Sequence, residues 1–299
     1  MHRPFITINL SALLVLFLTL ACSTDRNSHP LFIYEVSDSD SHVFLYGSVH
    51  VLSESDYPLD PVIDQAFSNS EILALEVHPD SLTKPSTREL MREKAYLPDA
   101  PPLSERLHKE TYTLLKVTAE NSGIPIQTYQ QVEPWFAALS LTMQKLESLG
   151  FSSEYGVEIH FYQNAIQAGK KIEGLEMVYD QVALFDSLSA EDQDNLVMQS
   201  LIDLAVLENE FQVLLEAWKH GQTERLGTLL LQSFKDYPDI YRELVVNRNK
   251  NWLIEIEDYL NSNEKAFIVV GAAHLAGPDG LVNLLMQDGF SVKQLQSQD

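Results

Sequence analysis

The chain has 299 residues, of which 43 are acidic and 20 are basic, giving a net charge of −23. This charge makes nucleic acid and anionic lipid surfaces poor partners, because both also carry negative charge. The hydrophobic fraction of 45% excludes a disordered chain and predicts a packed globular domain.

The N-terminus predicts an exported lipoprotein. An apolar run from Leu10 to Ala21 is shorter than the roughly 18–20 residues that span a bilayer, and is typical of a signal peptide. The run ends in Thr19-Leu20-Ala21-Cys22, which resembles a lipobox, and Cys22 is the only cysteine. We therefore predict a signal peptide over residues 1–21 and a lipidated polar tether over residues 22–30. The alternative is an ordinary cleaved signal peptide with an incidental cysteine.

The residue after the cysteine predicts where the anchor lies. Ser23, rather than an aspartate, follows Cys22, and by resemblance to enteric lipoproteins this favours the outer membrane with the domain facing the periplasm. More than one acyl chain makes such an anchor durable. Acylation also uses the only thiol, so we expect neither an internal disulfide nor a thiol nucleophile.

Apolar runs bounded by turn residues predict the strands of one domain over residues 31–299. Leu31–Val36 and His42–Tyr46 flank a polar loop and predict a hairpin. The remaining predicted strands are, in chain order, Glu71–Val77, Pro125–Tyr129, Lys171–Leu175, Ala266–Val270 and Phe290–Leu295.

Helical patterns fill the spaces between these runs. The predicted helices of the first half are Pro61–Ser70, Ser104–Asn121 with Ser104 as its N-cap, Pro134–Leu149, and Val157–Ala168 closed by Gly169. The segment Ser189–Leu260 lacks strand alternation and predicts several helices, broken near Gly221 and Pro238. The fold class is therefore α/β, with a mixed central sheet flanked by helices and a largely helical middle that forms a cap.

Two segments of the chain look alike. Val43–His50 and Phe267–His274 are each an apolar strand that runs into Gly-x-x-His. Glycine permits a sharp turn or the close approach of a ligand, and ligands bind at the carboxyl ends of strands in open α/β sheets. The two histidines, His50 and His274, are therefore candidate functional residues. The alternative is that they are turn histidines with surface or capping roles.

Glu76 is the third candidate. It lies near the end of an apolar strand, where a buried carboxylate must be paired, hydrogen-bonded or bound to metal, unless it points into solvent. Two histidines and one carboxylate with open positions are a familiar catalytic metal set, in which the metal activates water and polarises a carbonyl. His50, Glu76 and His274 are thus candidate metal ligands, although the sequence alone leaves their convergence open.

These motifs carry a resemblance to the TraB/GumN family, which includes the animal TIKI metalloproteases. The similarity begins at Gly47–His50, closes on Val270–Gly277 and covers nearly the whole mature chain. The blocks between are Tyr57-Pro58-Leu59, Glu76, Glu133-Pro134-Trp135, Gly156-Val157-Glu158, Gly169-Lys170-Lys171, Gly174-Leu175-Glu176, Gln181, Trp218, Gly221, Arg248-Asn249 and Trp252. The chain departs from the family pattern at Ser48, His78 and Glu158, where Thr, Asp and Asp are common.

The resemblance implies a fold like that of the erythromycin-esterase and ChaN-like proteins, with both histidine turns facing one cleft. It implies a divalent metal, manganese, cobalt or zinc, at His50, Glu76 and His274, with Glu76 as a ligand or the general base. Arg248 would be a catalytic or substrate-orienting group that grips a carboxylate or oxyanion. The alternative for Arg248 is a structural ion pair.

The leading functional hypothesis is a metal-dependent hydrolase of the cell envelope, a peptidase acting on a peptide or small-molecule substrate. The alternative is a non-catalytic lipoprotein that binds a peptide, a metal or haem in the same cleft. A third hypothesis, an accessory role in polysaccharide export, rests on the name of the family alone. The substrate, the metal, the oligomeric state and the roles of Glu158, His78 and His160 stay open.

Overall fold

Six strands form one mixed sheet in the computed structural model, which describes residues 28–298. The strands are β1 (Pro30–Ser37), β2 (His42–Ser48), β3 (Ile72–Val77), β4 (Lys171–Glu176), β5 (Ala266–Gly271) and β6 (Ser291–Gln296). Their order across the sheet is β4-β3-β5-β2-β1-β6. β2, β5, β3 and β4 run parallel, whereas β1 is antiparallel to β2 and β6, so the predicted hairpin is confirmed.

The central strands are covered on both faces. Every residue of β3 and β5 is buried, which is why both read as continuous apolar runs rather than as alternating patterns. The parallel register aligns the carboxyl ends of four strands, with Ser48 opposite Gly271 and Val77 opposite Glu176. This edge is where the chemistry-bearing residues of the sequence come together.

Helices surround the sheet. They are α1 (Pro61–Ser68), α2 (Pro79–Thr83), α3 (Pro85–Ala95), α4 (Leu103–Arg106), α5 (Lys109–Asn121), α6 (Pro134–Ser148), α7 (Val157–Ala168), α8 (Val178–Asp186), α9 (Ala190–Lys219), α10 (Thr223–Leu231), α11 (Pro238–Tyr241), α12 (Asn247–Asn261) and α13 (Leu281–Gln287). A π-helical turn over Arg242–Val246 joins α11 to α12. The predicted breaks are confirmed: Gly221 has a φ of 54° between α9 and α10, and Pro238 begins α11.

The helical middle has a core of its own. Leu115 of α5, Leu141 of α6 and Leu201 of α9 belong to an apolar cluster separate from that of the sheet. A third, smaller cluster joins Val77 at the end of β3 to Trp135 of α6. The α/β fold with a helical cap is therefore confirmed, and the cap reaches the carboxyl edge of the sheet.

One predicted strand is wrong. Pro125–Tyr129 is not extended, because Ile126–Tyr129 forms a 3-10 helix. Ile126 and Tyr129 lie three residues apart and both are buried in the cap core. A 3-10 helix repeats every three residues, so this spacing places both side chains on one face.

The predicted N-cap at Ser104 is also wrong. The segment forms two helices, and Ser104 lies inside the short helix α4, which begins at Leu103. The longer helix α5 begins after His108, whose backbone N–H donates to Asp194 Oδ1 at 2.7 Å. The acceptor at this helix start thus comes from α9, far away in the sequence.

The predicted signal peptide and the predicted lipidation site, Cys22, lie outside the described residues. Of the predicted tether over residues 22–30, the structure describes only its end, from Ser28 onward. Between residues 28 and 298, no helix has both the length and the apolar character needed to cross a membrane.

Candidate active site

Two of the predicted site residues meet beside Gly271, the last residue of β5. His50 follows β2 by two residues, and Glu76 lies within β3; these two strands lie on either side of β5 in the sheet. An atom at the Cβ position of Gly271 would lie 3.2 Å from both Glu76 Oε1 and His50 Nε2. The parallel register brings the two residues together, and the missing side chain of Gly271 leaves space between them.

Glu158, in the first turn of α7, orients the ring of His50 and stabilises its protonated form. His50 Nδ1 lies 2.7 Å from Glu158 Oε1, so Nδ1 donates and Nε2 faces Gly271. The negative charge of Glu158 raises the pKa of His50 to about 9, although desolvation opposes the shift. The ring is therefore protonated at neutral pH, and 63% of its side-chain surface remains open to solvent.

Two residues of the sequence Gly156-Val157-Glu158, at the start of α7, position His50. A Cβ on Gly156 would overlap the carbonyl oxygen of His50, so only glycine lets the helix approach this closely. Glu158 then reaches both His50 and the hydroxyl of Ser48, which donates to the same carboxylate oxygen. The buried Ser48 thereby fixes the carboxylate that holds the histidine.

Glu76 is a buried, ionised carboxylate. Its Oε1 accepts from the Gly271 N–H at 2.6 Å, and its Oε2 accepts from Arg248 Nη2 at 2.5 Å and Gln181 Nε2 at 3.2 Å. Burial by itself would raise its pKa. The positive charge of Arg248, together with the two histidines and the Gly271 N–H, outweighs burial and lowers the pKa of Glu76 to about 2.

Arg248 links two carboxylates to the second histidine turn. Its Nε and Nη2 donate to Glu176 at 3.2 and 2.7 Å, and Nη2 also donates to Glu76. Its Nη1 donates to the Leu244 carbonyl at 3.2 Å and to His274 Nε2 at 2.9 Å. A guanidinium has five N–H donors, so in the described structure all of them are engaged by the protein.

His274 is buried and neutral. Its Nδ1 lies 2.7 Å from Asn249 Oδ1, while the Asn249 amide donates to the backbone carbonyls of His274 and Asp279. This amide orientation, assigned from the hydrogen bonds, makes Nδ1 the protonated nitrogen and Nε2 the acceptor. Burial lowers the pKa of His274 to about 3, so it remains uncharged at neutral pH.

The three donors expected for a divalent metal do not share one point. His50 Nε2 and Glu76 Oε1 face Gly271, whereas Glu76 Oε2 and His274 Nε2 face Arg248. Across residues 28–298, no three or more His, Cys, Asp or Glu side chains are grouped so that they could hold a metal ion. In this arrangement the residues do not fit the three-ligand metal centre that the resemblance implies.

Several residues that contact the site were given no role in the sequence analysis. Glu176 ends β4 at the same edge at which Glu76 lies in β3, so the argument used for Glu76 would also have found it. Gln181 and Asn249 lie in blocks of the family resemblance, but their roles depend on contacts across the fold, at Glu76 and His274, which no local pattern indicates.

The two histidines whose roles were left open are not among the side chains that contact Gly271 or Arg248, although His78 lines the groove beside Glu176. His78 accepts the Asp80 N–H at 3.2 Å and caps α2. The His160 ring packs 4.9 Å from the Tyr57 ring, and desolvation lowers its pKa. Both contacts are structural, at a helix start and in an aromatic cluster.

A groove of about 710 Å³ lies beside Glu176. Its walls are α2, α3 and the start of α8, where Met177 and Tyr179 expose 70% and 57% of their surfaces. Sites of this volume hold ligands of the size of a drug molecule. The groove therefore offers binding space next to the carboxylate that holds Arg248.

The sequence matches the TraB/PrgY/gumN family over residues 32–294. It is similar to a protein of Escherichia coli K12 described as uncharacterized protein YbaP, with 24% identity over 246 residues, which cover 82% of this chain and 88% of that protein. The YbaP protein of Shigella flexneri gives the same identity and coverage. No solved structure matches the chain. Because the family match extends from β1 to β6, the chain belongs to the TraB/PrgY/gumN family.

Proposed function

We propose that this chain is a hydrolase of the bacterial cell envelope that cleaves peptide bonds beside Gly271. The observation that carries the proposal is the convergence of His50 Nε2 and Glu76 Oε1 on the space that glycine leaves open. Their surroundings push the two pKa values apart in opposite directions, to about 9 for His50 and about 2 for Glu76. A charged acid and an ionised base facing one point form an acid–base pair.

In the proposed reaction, a water molecule attacks the carbonyl carbon of the substrate. The Glu76 carboxylate accepts a proton from that water. The His50 imidazolium gives its Nε2 proton to the leaving nitrogen as the C–N bond breaks, which yields a carboxylic acid and an amine. Glu158 holds the ring in position throughout, as a carboxylate does for the histidine of other hydrolytic sites.

The proposed substrate class draws on the groove beside Glu176 and on the resemblance to TIKI peptidases. The groove has room for several residues of a peptide, and Met177 and Tyr179 provide apolar contacts. The similar YbaP proteins carry no described activity. We further propose that acylation of Cys22 holds this domain at the outer membrane, where it meets periplasmic peptides.

The proposal predicts how the rate depends on pH. The reaction requires a protonated His50, whose pKa is raised to about 9. The protonated form is present below that value and is lost as the pH rises through it. The rate should therefore hold through neutral pH and fall above about 9.

The test is cleavage of a synthetic peptide library by the full chain purified in detergent, with products identified by mass spectrometry. Parallel reactions contain EDTA, Mn²⁺, Co²⁺ or Zn²⁺. We expect His50→Gln to lower the rate by about 100-fold or more, the range for loss of a general acid or base. The control is His220→Gln, which alters an exposed histidine at the end of α9 whose Nδ1 contacts the Glu216 carbonyl and not the side chains of the site.

Two results would contradict the proposal. One is an absence of cleavage under all four conditions, and the other is an unchanged rate in His50→Gln. If cleavage is absent and native mass spectrometry finds a ligand retained through purification, the binding-lipoprotein alternative would replace it.

A further inference from the structure

Arg248 lies at the centre of the buried part of the site. It belongs to the first turn of α12, directly after the π-helical turn Arg242–Val246. Only 12% of its side chain is exposed, and its guanidinium carbon lies 4.5 Å from the centre of the Trp252 ring. π-Helical turns interrupt the regular helix and are frequent at functional sites.

The side chains that Arg248 binds are of residue types that also bind metal cations. Its Nη2 is shared by Glu76 Oε2 at 2.5 Å and Glu176 Oε1 at 2.7 Å, and its Nη1 lies 2.9 Å from His274 Nε2. Two carboxylates and a neutral imidazole nitrogen are suitable ligands for Mn²⁺ or Co²⁺. The guanidinium occupies the space between them.

The second histidine turn is arranged to present its nitrogen to Arg248. Asn249 fixes Nδ1 of His274 as the protonated nitrogen, so the only lone pair of the ring is on Nε2. A metal ion would need that same lone pair. Arg248 and a metal therefore compete for one atom of His274.

We propose that Arg248 is the resident cation of this site, and that by binding Glu76, Glu176 and Nε2 of His274 itself it keeps these three side chains from acting together as ligands of a divalent ion. While Arg248 stays in place, Mn²⁺ or Co²⁺ does not use His274 as a ligand. The proposal concerns the binding of ions and stands independently of whether the site is hydrolytic.

Replacing Arg248 with methionine should convert the site into a metal site. Arg248→Met keeps a long side chain but removes the charge and all five donors, which leaves two carboxylates and the Nε2 lone pair of His274 without their shared cation and free to move together around a metal ion. We expect Co²⁺ to bind this variant about 10- to 100-fold more tightly than the wild type. Changing one residue that contacts the ligands of a metal typically alters the metal affinity by this factor.

The experiment measures Co²⁺ binding by calorimetry and by the visible absorption of the ion, using the full chain in detergent after chelation. Four proteins are compared: the wild type, His274→Gln, Arg248→Met and the double variant. We expect His274→Gln to leave the Co²⁺ affinity of the wild type unchanged. The same substitution should abolish the gain in the Arg248→Met background.

Either of two results overturns the proposal. One is a wild-type Co²⁺ affinity that falls in His274→Gln, because His274 would then be a ligand with Arg248 still present. The other is a folded Arg248→Met whose affinity is no higher than that of the wild type. If Arg248→Met fails to fold, which circular dichroism reports, the comparison of wild type with His274→Gln decides alone.

Discussion

Glu158 should determine the charge of His50. Replacing it in Glu158→Gln removes the negative charge that raises the pKa of His50 to about 9. The pKa should then fall toward the ordinary histidine value of about 6.5. The measurement is an NMR titration of the His50 ring. At neutral pH the ring of the variant would be mostly neutral, so the proposed acid would also be lost.

A matched substitution separates this effect from the general charge of the surface. Glu154→Gln changes an exposed carboxylate four residues earlier, which the structure does not place in contact with His50. This control should leave the His50 titration unmoved. An equal shift in both variants, or none in Glu158→Gln, would contradict the ion pair as the cause.

How well single residues could be predicted depends on the range of their contacts. The placement of His50 and Glu76 at the carboxyl ends of apolar strands was predictable from the sequence, whereas their meeting at one point depends on the strand order. The environment of His274 was not predictable. Its nitrogen meets Arg248, which is 26 residues away and is positioned by a π-helical turn without a sequence pattern.

At the scale of elements, a side chain at Gly271, the last residue of β5, should lower the activity if the reaction takes place there. Gly271 has a φ of −52°, so alanine suits its backbone. The new Cβ would lie 3.2 Å from both Glu76 Oε1 and His50 Nε2. Gly271→Ala should therefore fold but lose about 100-fold in the rate of peptide cleavage, because small displacements of reacting groups are costly.

The control for this substitution lies on α10. In Gly227→Ala the nearest atom to the new Cβ is the Cβ of Ala276 at 3.4 Å, an ordinary contact. Its activity should match that of the wild type. Far-ultraviolet circular dichroism checks that both variants are folded, and a fully active Gly271→Ala would show that the reaction does not occupy this space.

A single hydrogen bond joins the long helix α9 to strand β2. The Trp218 indole N–H donates to the Gly47 carbonyl at 2.6 Å, inside the core. Trp218→Phe leaves that buried carbonyl without its partner, which should lower the free energy of unfolding by about 1–3 kcal/mol beyond the loss of ring contacts. Urea denaturation measures the change.

Trp135→Phe is the matched control, because it makes the same change in ring size at another buried tryptophan. Among the described residues, the Trp135 Nε1 has no hydrogen-bond partner. Its replacement should therefore be less destabilising than that of Trp218. If the two variants are equally stable, the bond between α9 and β2 contributes nothing measurable.

Strands and helices were predictable where the spacing of the apolar residues fitted the period of only one kind of secondary structure. The two Gly-x-x-His strands and the helix closed by Gly169 follow from their own residues, and Gly169 has the positive φ of 65° expected of a helix end. In Pro125–Tyr129, apolar residues in a short segment fit an extended strand as well as a 3-10 turn. Only packing against the cap core distinguishes them.

At the scale of the whole molecule, the class of fold was predictable and the order of the strands was not. Apolar runs at both ends of the domain indicate a sheet with a helical insertion. The order β4-β3-β5-β2-β1-β6 places strands from both ends of the chain side by side. Such pairing depends on packing between distant segments, and it is also what brings His50, Glu76 and Arg248 into one site.

The lipid anchor can be tested on the whole chain. We expect Cys22→Ala to remove the only acylation site, since no other cysteine is present. The protein should then move from the membrane fraction to the soluble fraction, because the acidic domain itself has no attraction to anionic lipid. Labelling with a fatty-acid analogue and fractionation measure this. Ser23→Ala keeps the thiol and should remain labelled, whereas a labelled Cys22→Ala would contradict the predicted anchor.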